Sequence, residues 1–191
     1  MLKGQELINS AKVKNLAGDF KNIPVFIYGY QDKFKALPGD DAKADTNVSG
    51  GTICTPVAAG LCAPGSGIID GAWNATAVTS ESYVFWQHVR LAGLAPGPTA
   101  TAAADYVPLN AVGGIIGITN ATAPPITGLK GSYIVCSNAI AGKFAKQLDT
   151  TLDDGSTATG SMMVAPVTAG GAPIVTGSIV DDTTYLVCMG V

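Results

Sequence analysis

Apolar residues recur early in the chain at Val13, Leu16, Phe20, Ile23, Ile27, Tyr30, Phe34 and Leu37, with spacings that alternate between three and four. This alternation sets every member on one side of an α-helix, as the a and d positions of a heptad do. Read as one helix over residues 2–37, the segment spans roughly 54 Å at about 1.5 Å per residue, longer than a small domain is wide. Its own domain cannot cover all of it. Before Val13 the expected apolar positions hold Asn9 and Glu6, so the stripe serving the chain's own sheet starts near Val13 and the residues before it project. Pro24 lies inside the pattern, where a missing backbone donor and a clash with the preceding turn predict a kink near residues 20–24. The stop is written in Leu37-Pro38-Gly39-Asp40-Asp41. Proline disfavours helical geometry at the residue before it, glycine admits a left-handed residue, and the two carboxylates can accept nearby amides.

Residues 42–79 keep no period and are rich in Gly, Pro, Ala and Thr, which predicts a long loop. A short helix follows in TSESYVFWQHVRLAGL, with Thr79 or Ser80 as its cap, Glu81 in its first turn and Gly93 at its end. Tyr83, Phe85 and Trp86 in it read as core packing in preference to a binding platform. The β-branched runs at 113–119 and 131–137 read as strands, as do SMMVAPV and the closing TTYLVCMGV, with a helical segment around 139–148 that Gly142 weakens. Four strands joined mostly by loops, with one long striped helix, predict an α+β fold: a long N-terminal α-helix packed on an antiparallel sheet of about four strands, with a helical and loop-rich insertion. At 191 residues the expectation is a single domain, 1–191, made of the helix (1–37), the insertion (38–112) and the sheet with its short helix and last strand (113–191).

Composition adds two constraints. Only 13% of residues are charged, about half the share in ordinary soluble domains, so small weakly polar groups must cover much of the surface. The net charge of −3 hides an asymmetry: Lys3, Lys12, Lys14, Lys21, Lys33 and Lys35 against Glu6, Asp19 and Asp32 make residues 1–37 basic, and the remainder is acidic. The helix of one copy can therefore lie near the acidic head of another. Basic residues this few, spread round a helix without aromatic interleaving, argue against nucleic acid. The four cysteines, Cys54, Cys62, Cys136 and Cys188, lack a Cys-x-x-Cys pair and meet one histidine, which argues for disulfides over zinc and for an oxidising compartment. Three pairings are open. Cys54 and Cys62 close a short loop through Pro56 and Gly60, and Cys136 and Cys188 both fall in strand-like runs, which favours 54 with 62 and 136 with 188. Export needs a signal, and no signal peptide or apolar run of about 20 residues is present; the chain starts already inside the helical pattern, so an upstream segment is expected.

The long amphipathic helix closed by YGYQDKFKALPGDDA, with a cysteine near the C-terminus, resembles type IV pilins and the pseudopilins of type II secretion. The segments ESYVFWQHVRLAGL and GKFAKQLDTTLDDGSTATGS are also similar to a subgroup of pilin-like proteins, so the likeness touches about a third of the chain. It implies a helix-on-sheet roll and a structural subunit without catalytic residues. It also implies a membrane-anchored precursor in the bacterial inner membrane, clipped by a prepilin peptidase and passed by assembly machinery into a filament of copies and other pilin-like subunits. The product would lie in an extracellular pilus or the periplasm. The family's apolar N-terminal half-helix, with its cleavage site, is absent from the sequence. Within this likeness a secretion pseudopilin, a minor pilin or an adhesin using loop 42–79 are the alternatives. Val13, Leu16, Phe20, Lys14 and Lys21 are the expected subunit-interface residues, with Lys12, Lys14 or Lys21 meeting an acidic loop of a neighbour.

Little else carries chemistry. His88 has no nucleophile or orienting carboxylate at a recognisable spacing, so no enzyme is expected and its replacement by alanine should be silent. Gly113-Gly114 and Gly170-Gly171 lack the order of phosphate loops and read as turns. Asp149, Asp153 and Asp154, with Ser156 and Thr159, offer the hard oxygens calcium prefers, although the EF-hand order is not met. The alternative for this segment is an Asp-Asp-Gly turn whose carboxylates cap local amides. No other cofactor is expected.

Overall fold

The computed structural model describes residues 2–55, 62–167 and 171–191, with side chains from residue 4 onward. Pro56 and Gly60, expected between the first two cysteines, and Gly170 lie outside the described residues. The elements run α1 (Leu2–Phe34), α2 (Ala44–Asn47), α3 (Glu81–Leu91), β1 (Ile116–Asn120), β2 (Tyr133–Ala141), α4 (Gly142–Leu152), β3 (Met162–Pro166), a 3-10 turn (Thr176–Ser178) and β4 (Thr184–Gly190). The four strands form one sheet in the order β1-β2-β4-β3, and β4 pairs antiparallel with both β2 and β3. This is the expected α+β class.

By contacts the chain falls into two compact units, one of Met1–Lys21, Leu109–Ile116 and Ala121–Val191, the other of Asn22–Pro108 and Gly117–Asn120. The division crosses the segment boundaries expected at 37 and 112, because α1 contributes to both units. In the first, Val13, Leu16 and Phe20 of α1 are buried, as are the strand residues Ile134, Val164 and Val187. The α4 helix packs on β2, β3 and β4, and Lys12 of α1 reaches over its Phe144 ring at 5.9 Å. That helix starts three residues later than expected. Gly142 opens it instead of weakening it, since a side chain there would strike the Val180 carbonyl.

α1 is continuous through Pro24 and ends at Phe34, not Leu37. Lys35 takes the left-handed conformation (φ 56°) that closes the helix, its amide bonded to the Gln31 carbonyl at 2.8 Å. The left-handed residue thus comes four positions before Gly39, leaving Leu37 free to turn into the interior before Pro38. Gly39 is needed for a different reason. At φ 92° its missing side chain leaves room for the Glu81 carbonyl. Asp41 accepts the Lys43 amide at 2.8 Å, as an Asp in a turn should, and also the Tyr30 hydroxyl at 2.8 Å. Asp40 instead reaches across to the Ser66 and Gly67 amides.

Both disulfides form as favoured, Cys54–Cys62 and Cys136–Cys188. The second joins residues directly opposite in the β2–β4 register, with Cα atoms 4.1 Å apart. Two residues further along β2 the register slips, at a bulge between Ser137 and Ile140 in which Ala139 takes φ 56°. Asn110 pins this bulge through the Ser137 hydroxyl (2.7 Å) and the Asn138 carbonyl (2.8 Å), while the Asn138 side chain accepts the Ile115 amide (2.8 Å). Among the described residues no helix is long and apolar enough to cross a membrane.

Candidate functional site

Three groups of residues could do more than hold the fold: the outer side of α1, the polar interior around α3, and the acidic turn after α4.

On α1, the buried stripe ends toward the N-terminus at Val13. Leu7 and Ile8, one to two turns earlier, are 72% and 58% exposed. Glu6 is exposed and Asn9 half-buried, as the polar break in the stripe implies. Of the expected interface residues, Lys14 and Lys21 are exposed, but Val13, Leu16 and Phe20 are covered by their own chain. A side chain with no free surface cannot be offered to a neighbour. Among the described residues, the large apolar side chains exposed at this helix end are therefore Leu7 and Ile8. Leu7, Lys14 and Lys21 recur every seventh residue, on the side of the helix away from Leu16. Beside them α1 and α4 flank a groove of about 750 Å³, into which Lys14, Lys21 and Lys146 project. Lys146 is already paired with Asp181 at 2.6 Å, whereas among the described residues no ion pair engages Lys14 or Lys21.

The α3 helix is buried on every side from Glu81 to Arg90, so the aromatic residues Tyr83, Phe85 and Trp86 are core, as read. Its polar residues are structural. His88 is fully buried; its Nδ1 accepts the Gly39 amide at 2.9 Å, and its Nε2 lies 2.9 Å from the Thr52 carbonyl, which can only accept. The ring is thus the neutral Nε2–H tautomer, in keeping with a pKa lowered by burial against the Thr52 bond and the Asp41 charge that would raise it. Both nitrogens are occupied by backbone. His88→Ala strands a buried N–H and a buried C=O, so it is expected to cost about 2–3 kcal/mol in urea unfolding, contrary to the silent substitution the sequence suggested. Arg90 donates to the carbonyls of Pro96 (3.1 Å), Pro98 (3.0 Å) and Tyr106 (2.8 Å) and stacks on the Tyr106 ring. Glu81 accepts the Ala63 amide at 2.6 Å on one oxygen and the Asp70 amide at 2.7 Å on the other. These bonds fasten the loop after Cys62 to the start of α3. Cys54, Cys62 and Glu81 lie close enough to suggest a metal set, but the two sulfurs are bonded to each other.

After α4 the three carboxylates named from the sequence come together: ligand atoms of Asp149, Asp153 and Asp154 all lie within 4.8 Å of one another. Asp153 accepts the Met162 amide and Asp154 the Ser156 amide, both at 2.8 Å, so two of the three do cap local backbone. Asp149 does not. It is fully buried and neither oxygen has a hydrogen-bond partner. Desolvation pushes its pKa up to about 6; the Gly155 amide, near the carboxylate but outside hydrogen-bond geometry, offsets part of this, and the Asp153 and Asp154 charges add to it. The sequence held the signal for this burial. Asp149 stands four and five residues after Ala145 and Phe144, on the apolar side of α4.

Compared with protein-family models, with curated proteins and with solved structures, the chain matches none.

Proposed function

We propose that the chain is a structural, non-catalytic subunit of a type IV pilus-like filament, joined to its neighbours through α1. The observation that carries this reading is the helix itself. Its 33 residues run without a break, its stripe from Val13 onward is satisfied internally, and its first turns leave Leu7 and Ile8 bare. Exposed apolar residues on a helix end are costly in water unless a neighbour covers them. Two disulfides fit an extracellular or periplasmic location. The polar residues of α3 are all engaged with backbone, which supports a scaffold over an enzyme.

Lys14 and Lys21 supply the electrostatic part of the contact, facing an acidic loop of the next subunit. Two variants separate the contributions. Leu7→Glu with Ile8→Glu is expected to lower the chain's recovery in sheared filaments at least about tenfold, since each charge would be forced into a desolvated contact. The monomer's thermal midpoint should stay unchanged, because both side chains are exposed. Lys14→Glu with Lys21→Glu should weaken assembly less, and increasingly so at low salt. Filaments of normal abundance from the first variant would refute the proposed function; normal abundance from the second alone would remove only the charge contact.

A further inference from the structure

From the acidic turn after α4 we infer that Asp149, Asp153 and Asp154 form a binding site for a calcium-sized divalent cation. The decisive feature is Asp149. A cluster of surface carboxylates needs no ion, but a fully buried carboxylate with two unpartnered oxygens, aimed at two further carboxylates, is an arrangement that folding disfavours unless something positive lies among them. Its place on the helix adds to this. Asp149 begins the last turn of α4, where the partial negative charge of the helix end opposes a carboxylate and attracts a cation.

The geometry suits the ion. Two oxygens bound to one calcium at about 2.3–2.6 Å can stand up to about 4.6–5.2 Å apart, and about 4.2 Å is the limit for magnesium. Ligand atoms of the three carboxylates all lie within 4.8 Å of one another, within the reach of one calcium ion. The hydroxyls of Ser156 and Thr159, bonded to each other at 2.8 Å, border the exposed Asp154 and can add oxygens from the solvent side. Gly155 and Gly160, at φ 85° and 87°, make the tight turns. A side chain at Gly160 would strike the Asp153 carboxylate. The donors are all hard oxygens, the set that takes calcium in preference to zinc or copper. Bound there, the ion would tie the end of α4 to the start of β3, since Asp153 also holds the Met162 amide.

The test is thermal unfolding of the intact chain in chelator, in calcium chloride and in magnesium chloride, with calorimetric titration of calcium. Calcium at about 5 mM is expected to raise the midpoint by about 5 °C or more over chelator, with a smaller response to magnesium. Asp149→Asn, similar in size and uncharged, should abolish the response while leaving the metal-free midpoint unchanged or higher. Asp154→Asn, on the exposed rim, should fold normally and weaken calcium binding at least about tenfold. An unchanged midpoint and no heat of binding in the parent chain would overturn the site. So would a calcium response that survives Asp149→Asn. A magnesium response equal to that of calcium would overturn the assignment to a calcium-sized ion.

Discussion

Replacing Cys136 and Cys188 together by alanine is expected to lower the unfolding free energy by about 4 kcal/mol. The chain between them is long, 52 residues apart in sequence, and loop closure in the unfolded state scales with the logarithm of that separation. The same treatment of Cys54 and Cys62, 8 residues apart, predicts about 2.5 kcal/mol. Position reinforces the order. Cys136 and Cys188 are fully buried at paired positions of β2 and β4, whereas the other bridge closes a local loop beside α3. Urea unfolding of the two double variants, followed by far-ultraviolet circular dichroism, measures both. A larger loss from the Cys54–Cys62 variant would contradict the account of which bridge holds the fold.

Glu81→Gln is the second large effect, expected to cost about 2–3 kcal/mol although the side chain barely changes in size. Glu81 offers an acceptor to each of two loop amides, Ala63 and Asp70. Glutamine offers one oxygen, and turns an amide N–H toward a backbone N–H at the other position. The cost should depend on pH. Burial raises the pKa of Glu81 to about 7, above its ordinary value of 4.5, against the two amides that lower it. Between those values the folded chain keeps a proton that the unfolded chain releases. The contribution of Glu81 is therefore complete below pH 4.5 and declines as pH rises through about 7. The stability gap between the parent chain and Glu81→Gln should be widest near about pH 4 and narrower near about pH 8. A gap that widens with pH would show that the folded chain holds Glu81 mainly as the ionised carboxylate.

What the sequence conveyed follows from how local the physics is. The alternating stripe from Val13 to Leu37 announces α1 because the helical repeat is written into adjacent turns, and burial falls where the stripe predicts, from Val13 to Tyr30. Its last turn was misplaced because LPGDD marks where a helix cannot continue, while the left-handed Lys35 that ends it carries no strong signal. The strands are near their expected places, but the bulge at Ala139 depends on Asn110, far away in sequence. The polar residues of α3 were unreadable for the same reason. His88, Glu81 and Arg90 acquire their roles only when Gly39, Thr52, Ala63, Asp70 and Tyr106 are folded beside them. The split into two units was also hidden, since one helix passes through both and its pattern does not change at Lys21. In contrast, residue type alone grouped Asp149, Asp153 and Asp154, which the fold brings within 4.8 Å of one another, and burial sets Asp149 apart from the two carboxylates that cap local amides.

We propose that α1 joins one copy of this chain to another through the side that its own fold leaves open. A photo-activated cross-linking amino acid at Leu7, in the protein as its own cell makes it, tests this most directly, with the same residue at the exposed Val175 as the comparison. A ladder of covalent multimers is expected from Leu7, with mapped cross-links on a second copy or another subunit of the same kind, and a much weaker ladder from Val175. Only monomer from Leu7 in cells that contain the assembled protein would contradict it.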